Sequence, residues 1–321
     1  MEAYQYMKKK RPVLVAVILV LIFSVVLGFS ACAAEADSKE ESGKIQLTAT
    51  TTMLSDLARN IAGEEVEVTG LMGTGIDPHL YQASAGDISA LQEADVVLYN
   101  GIHLEGKMGD IFASLREQNK TVISVEDALD KNDLIQTEDS EQNYDPHVWF
   151  NVELWKKAAR HLAQELSAYA PEHKAVFKTN LESYVKELED LEKFIQEKVD
   201  TLPKDKRILV TAHDAFSYFG KAYGFEVKGL QGISTETEAG TQDISQMAEY
   251  IANNEIKAVF VESSVSPKTI EALQAAVKSK GFETAIGGSL YSDSLGDKES
   301  GDDSYIETWK ANIETIVSAL Q

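Results

Sequence analysis

Residues 171–203 read PEHKAVFKTNLESYVKELEDLEKFIQEKVDTLP. Between the two prolines, Glu172–Leu202 contains neither glycine nor proline, and its apolar residues recur at steps of three and four. These residues are Phe177, Leu181, Tyr184, Leu188, Leu191, Ile195, Val199 and Leu202. Such spacing puts one apolar face on a single helix about 45 Å long. The pattern predicts a rigid helix that links two lobes; the alternative is an ordinary long core helix.

On both sides of this helix, short apolar runs alternate with helical patterns. The predicted strands before it are Ile45–Ala49, Val66–Leu71, Asp95–Asn100 and Thr121–Val125. Those after it are Arg207–Ala212, Glu226–Leu230, Ala258–Glu262 and Phe282–Ile286, followed by a last helix over about Ser304–Leu320. The alternation predicts an α/β fold with parallel sheets. We expect a lobe over residues 44–170, the linking helix over 171–203 and a second lobe over 204–321.

The first residues have the pattern of an export signal. Basic residues at 8–11 precede the apolar run Val13–Phe29, and Ser30-Ala31 precede the chain's single cysteine, Cys32. This predicts a signal peptide over 1–31, as in bacterial lipoproteins, although Phe29 stands where leucine is usual. Cys32 would be lipidated and anchored in the bilayer, and residues 32–43 would form a flexible tether. The alternative is an uncleaved membrane anchor; both place the rest of the chain outside the cytoplasm.

The composition excludes several classes of partner and site. The 321 residues include 52 Asp and Glu against 30 Lys and Arg, which gives a formal charge of −22. An acidic surface argues against nucleic acid as a partner. A single cysteine excludes an intrachain disulfide and a cysteine-based zinc or iron–sulfur site.

Three of the six histidines have a distinctive setting. Asp-Pro-His occurs at 77–79 and again at 145–147, and His213 ends an apolar strand. Ligands of open α/β sheets bind at the carboxyl ends of strands, and the loop with Asp293 also lies there. Imidazoles and a carboxylate are zinc and manganese ligands, so we predict one ion held by His79, His147, His213 and Asp293.

The alternative is that both Asp-Pro-His turns are a coincidence and that each histidine only packs. We expect Asp77 and Asp145 to close Asx turns rather than to bind metal. The other histidines are predicted to be surface or packing residues; they are His103, His161 and His173.

Four motifs resemble the ligand motifs of the metal-binding solute-binding lipoproteins of ABC transporters, a family with TroA, PsaA and ZnuA types. They are GIDPHLY at 75–81, DPHVWF at 145–150, TAHDAF at 211–216 and YSDSL at 291–295. The resemblance runs in order from Ile45 to the end and includes GLQGIS at 229–234. It implies two (β/α) lobes joined by one long helix, with the metal site between them.

The resemblance also implies the ligands His79, His147, His213 and Asp293 and one transported Zn²⁺ or Mn²⁺ per chain. It implies a non-enzymatic, monomeric protein that delivers the ion to a membrane permease with a cytoplasmic ATPase. Manganese-selective PsaA types have glutamate where His213 stands, and dedicated zinc types have a histidine-rich loop before the second motif. The segment Glu126–Tyr144 has no histidine. The chain therefore resembles the TroA type, for which both metals are implied.

Two ligands from each lobe predict a modest closure of the lobes on binding. A first alternative is a secreted zinc metallohydrolase, with Glu262 as the one candidate general base, although no His-Glu-x-x-His is present. A second alternative is an adhesin or structural lipoprotein whose metal only stabilises the fold.

Overall fold

Four parallel strands form a sheet in the part of the chain that precedes the long helix. They are β1 (Ile45–Ala49), β2 (Val66–Gly70), β3 (Val96–Tyr99) and β4 (Thr121–Ser124), in the order β2-β1-β3-β4. Helices α1 (Thr52–Ala62), α2 (Ala85–Glu93) and α3 (Gly109–Glu117) connect them. Ser84 and Asp87 form a capping box at the start of α2, in which each side chain accepts a hydrogen bond from the other's backbone N–H.

Two helices follow this sheet. The side chain of Asn151 caps α4 (Val152–Tyr169). A 3-10 turn at Pro171–His173 then leads into α5 (Lys174–Val199), whose 26 residues span about 39 Å. The predicted long helix is confirmed, although it is shorter at both ends because turns occupy 171–173 and 200–202.

The apolar face of α5 lies in a core shared by both halves of the chain. Its buried residues are Phe177, Tyr184, Leu188, Leu191, Ile195 and Val199. The same hydrophobic cluster includes Leu47 of β1 and Trp309 near the end of the chain. The helix is thus both a connector and a core helix. The lobe boundaries at residues 170 and 204 stay a prediction.

Past α5 the strands form two parallel pairs. They are β5 (Ile208–His213) with β6 (Glu226–Gln231), and β7 (Ala258–Glu262) with β8 (Ala285–Leu290). Helices α6 (Ser217–Tyr223), α7 (Thr241–Asn253), α8 (Lys268–Ser279) and α9 (Tyr305–Leu320) accompany them. Both pairs contribute to one apolar cluster, which includes Val210 and Val259. The predicted α/β class with parallel sheets is confirmed.

The computed structural model describes residues 43–137 and 144–321, and Lys44–Gln321 form one unit. The predicted signal peptide, the lipidation site Cys32 and the tether up to residue 42 lie outside the described residues. Within the described part of the chain, no helix has the length and apolar character needed to cross a bilayer.

The predicted bounds of β8 are wrong. Strand β8 begins at Ala285, not Phe282, and continues through Gly287, where a Cβ would come within 2.8 Å of the Phe260 ring. Close packing, not β propensity, selects glycine there. Helix α6 begins at Ser217, and α8 begins at Lys268, after Pro267, without a side-chain cap.

Candidate metal centre

The structure brings together all four side chains predicted to bind metal. His79 lies in the loop after β2, His147 precedes a 3-10 turn, His213 ends β5 and Asp293 follows β8. One ligating atom from each lies within 4.8 Å of the others, and all four side chains are buried. These four residues are far apart along the chain, so only the tertiary fold brings their side chains together.

The spacing of the four atoms suits one small cation. Nε2 of His147 lies 3.2 Å from Nε2 of His79, 3.4 Å from Nε2 of His213 and 3.4 Å from Oδ1 of Asp293. The other carboxylate oxygen, Oδ2, lies 3.3 Å from Nε2 of His213. Four ligands placed tetrahedrally at about 2.0–2.2 Å from zinc would be roughly 3.3–3.6 Å apart. The three imidazoles and the carboxylate could therefore share one ion with little rearrangement.

Two buried carboxylates lie against Nδ1 of His147 and His213 and so orient these two rings. Oδ1 of Asp145 accepts a hydrogen bond from the backbone N–H of His147 at 2.9 Å and lies 2.7 Å from Nδ1 of the same residue. Glu262 does the same for His213, with its Oε1 2.8 Å from the backbone N and its Oε2 2.6 Å from Nδ1. A proton on each Nδ1 leaves the Nε2 lone pair free to bind metal.

These two carboxylates correct part of the sequence interpretation. Asp145 closes the predicted Asx turn, but it also orients the ring of His147, which the sequence did not indicate. Glu262 lies against Nδ1 of His213, on the side of that ring away from the other three ligand atoms. It is therefore poorly placed to activate a water at the cluster.

The pKa is raised for two of the three histidines of the site and lowered for the third. Burial lowers the pKa of His147, but the carboxylates of Asp145 and Asp293 outweigh it and raise this pKa to about 9. For His213, burial is likewise outweighed by Glu262 and Asp293, which raise its pKa well above the usual value. Burial lowers the pKa of His79 to about 3. An ion held by these rings would have to displace protons from His147 and His213, whereas His79 is already neutral.

The carboxylate of Asp293 remains ionised. Burial raises its pKa, but the His213 and His147 imidazoles more than offset this and hold the pKa well below its usual value. The hydroxyl of Ser264 donates to Oδ2 at 3.2 Å. Oδ1 is buried without a hydrogen-bond partner among the described residues, as expected for an atom that faces a cation.

Contacts across the site tie the ligand loops together. Oδ1 of Asp77 accepts from the His79 backbone N–H at 2.8 Å, and Oδ2 accepts from the Thr235 hydroxyl at 2.5 Å. The Trp149 indole N–H donates to the Ser292 carbonyl at 2.9 Å, beside Asp293. Thr235 and Trp149 were not predicted as part of the site, because neither residue type is itself a metal ligand.

The remaining histidines lie outside the cluster. His103 is exposed, and His161 is half-buried on α4. Nδ1 of His173 lies 3.0 Å from a Glu65 carboxylate oxygen. Within residues 43–137 and 144–321, the group of His79, His147, His213 and Asp293 is the one set of at least three such side chains close enough to share an ion.

Residues 47–319 match the family model of ZnuA, the periplasmic component A of a zinc-uptake complex. The chain is 44% identical over 290 residues to the manganese-binding lipoprotein MntA of Bacillus subtilis, across 90% of this chain and 94% of that protein. It is 41% identical over 301 residues to the zinc-binding protein TroA of Treponema pallidum, across 94% of this chain and 96% of that protein.

A solved structure of the periplasmic zinc-binding protein TroA from Treponema pallidum superposes with a TM-score of 0.84. The two are 43% identical, and the match covers 87% of this chain and 99% of that chain. The family, the fold and the buried histidine–aspartate cluster agree, and the chain belongs to the ZnuA/TroA/PsaA family of metal-binding substrate-binding proteins.

Proposed function

We propose that this protein captures one divalent transition-metal ion, Zn²⁺ or Mn²⁺, outside the cytoplasm and delivers it to the permease of an ABC transporter. The observation that carries the proposal is the spacing of four buried ligand atoms, which lie within 4.8 Å of one another. One relative of about 40% identity is named for manganese and another for zinc, which supports both metals.

The ion would be held by His79, His147, His213 and Asp293. Three nitrogens and one oxygen should bind Zn²⁺ more tightly than Mn²⁺, because affinity for such sites follows the stability order of divalent ions. The metal taken up by the cell depends also on metal availability and on the permease. The ion is cargo, so its release matters as much as its capture.

We propose that the protein works as a monomer on a lipid anchor. Cleavage after residue 31 would leave Cys32 as a lipidated N-terminus, with residues 32–43 as a tether. The permease and its cytoplasmic ATPase would lie in the same membrane. Replacing Cys32 with Ser should release the protein into the medium or periplasm, which fractionation and a fatty-acid label would detect.

Capture would draw together the two lobes proposed for residues 44–170 and 204–321, because each supplies two ligands. The helix over 171–203 would limit the closure, since a continuous helix bends less than a flexible linker. Hydrogen bonds such as Thr235 to Asp77 would form or break in this movement. A wide swing of the lobes between metal-free and metal-loaded crystals would contradict this mechanism.

The protein would carry the ion without catalysing a reaction on it. Glu262, the candidate base of a hydrolase, contacts His213 and is buried. Sustained hydrolytic turnover by the zinc-loaded protein would contradict this view.

The deciding experiment is elemental analysis of the purified protein followed by competition between Zn²⁺ and Mn²⁺. We expect one ion per chain and loss of that ion from a His147→Ala variant. A deletion strain should grow poorly in metal-depleted medium and recover when zinc or manganese is added. Normal growth of that strain would favour an adhesive or structural role.

A further inference from the structure

A cavity of about 890 Å³ lies beside the candidate metal centre, and His79 forms part of its wall. Three carboxylic side chains line it, those of Asp214, Glu238 and Asp243. None of the described residues that line it is lysine or arginine. Its volume equals that of roughly 30 water molecules at about 30 Å³ each. The chamber is therefore wide enough for a hydrated cation, and its charge favours a cation over an anionic chelate.

His103 reaches this cavity from a strained turn. Gly101, Ile102 and His103 have φ angles of 80°, 53° and 61°. A left-handed conformation is uncommon and strained for a β-branched residue such as Ile102. Such strain is found most often at functional sites.

Two carboxylates hold the turn in place. Oε2 of Glu126 accepts from the Ile102 backbone N–H at 2.8 Å, and Oε2 of the buried Glu105 accepts from that of Gly101 at 3.2 Å. The local structure is thus stabilised in a conformation that the sequence alone would not prefer. Its consequence is that an exposed imidazole, His103, lies on the cavity wall.

A second group in the wall lacks a partner. Gln231, the last residue of β6, is 7% exposed and lines the same cavity. Its Oε1 is buried and has no hydrogen-bond partner within residues 43–137 and 144–321. A buried amide oxygen without a donor is costly unless a water or an ion satisfies it. Such oxygens bind divalent cations directly or through their water shell.

We propose that this cavity is an entry chamber, in which a hydrated divalent cation binds weakly at His103 and Gln231 before it passes to His79 and the four-ligand centre. The proposal rests on the function proposed above. The described part of the chamber offers no second group of three close ligands, so the ion keeps most of its water. Weak binding and fast exchange are what a relay site requires.

The first test titrates Zn²⁺ alone into the purified full chain and follows the histidine ring signals by ¹H–¹⁵N NMR. The first equivalent should shift the rings of His79, His147 and His213. Further zinc should then shift the ring signals of His103 in fast exchange. The zinc concentration that shifts His103 should be at least about tenfold lower than the concentration that shifts the reference residue His161. If the first equivalent moves none of the three rings, the proposed function fails. If His103 responds no earlier than His161, the entry chamber is overturned.

The second test measures rates by stopped flow. A relay speeds entry and exit alike, so His103→Asn and Gln231→Leu should each lower the association and dissociation rates of Zn²⁺ by at least about threefold. The dissociation constant of the four-ligand centre should change less than about twofold. Gln231→Glu should raise the association rate, and His161→Asn is the matched control. Rates of both folded variants within twofold of wild type would refute the relay, and a lost equilibrium affinity would indicate a structural role instead.

Discussion

Asp77-Pro78-His79 and Asp145-Pro146-His147 repeat the same three residues and share one backbone contact. In each, the aspartate Oδ1 accepts a hydrogen bond from the histidine N–H, at 2.8 Å in the first tripeptide and 2.9 Å in the second. Beyond this turn they differ. Asp145 also lies 2.7 Å from the ring of its own histidine, whereas the second oxygen of Asp77 accepts from Thr235.

Because of this difference, the pKa values of the two imidazoles are shifted in opposite directions. Burial lowers the pKa of His79 to about 3, while the carboxylates beside His147 overcome burial and raise its pKa to about 9. The first tripeptide also lies nearer to solvent, since its neighbours Ile76 and Leu80 are 41% and 45% exposed. The tripeptide sets the backbone turn, but its surroundings decide the state of the ring. We infer that His147 is the fixed part of the site and His79 the part nearer its entrance.

The largest effect should come from removing either ring. His79→Ala and His147→Ala should each lower zinc affinity by more than about 100-fold, since even residues that only support a ligand contribute 10–100-fold. His147→Ala should be the more severe, because Nε2 of His147 lies within 3.4 Å of a ligand atom of each of the other three residues. Competition calorimetry measures both, with His161→Ala as control. An affinity within threefold of wild type would remove that histidine from the site.

The carboxylates of Asp145 and Asp77 should contribute unequally to zinc affinity. Asp145→Asn loses the charge that supports His147 and should weaken zinc binding by about 10–100-fold. Asp77→Asn keeps an oxygen for the backbone N–H of His79 and should weaken binding by less than about tenfold. The same calorimetric competition ranks the two. Equal losses would show that the two aspartates act alike, contrary to the comparison.

His147 and His79 should contribute differently to the pH dependence of zinc affinity. With a pKa of about 9, His147 holds a proton at pH 7 that the metal must displace, so apparent affinity falls as pH falls. With a pKa of about 3, His79 holds none at pH 7 and adds no slope above about pH 4. In Asp145→Asn the pKa of His147 should fall, and about one proton fewer should be released. Calorimetry in buffers of different protonation enthalpy counts these protons, and an unchanged count would contradict the assignment.

The smallest effect concerns the hydrogen bond between Thr235 and Asp77. Thr235→Val keeps the shape of the side chain but removes the donor, which should weaken zinc binding by a few-fold. Thr235→Ser should restore the affinity. Thr237→Val, in the same loop but exposed, is the control and should bind as wild type does. Equal binding by Thr235→Val and wild type would mean that this contact does not support His79.

Much of the fold was predictable because it depends on local periodicity. The apolar residues of α5 alternate at steps of three and four, and its buried face is the one that this spacing predicts. Strand β7 was predicted with its bounds, Ala258–Glu262, since it is a continuous apolar run. Strand β8 was misplaced because Gly287 and Gly288 have low β propensity. Their place in the sheet depends on close contacts with Phe260 and the last helix.

By itself, the sequence determined the α/β class and the long helix, and it indicated His79, His147, His213 and Asp293 as candidate ligands, since each follows from nearby residues and motifs. Only the tertiary structure decided that Asp145 and Glu262 lie behind two of the rings, that Thr235 reaches Asp77, and that His103 and Gln231 share a cavity. The physical reason is that protonation and ring orientation depend on contacts within about 3 Å. The contact between Glu262 and His213 joins residues 49 positions apart, and that between Thr235 and Asp77 joins residues 158 positions apart. No local sequence pattern encodes either contact.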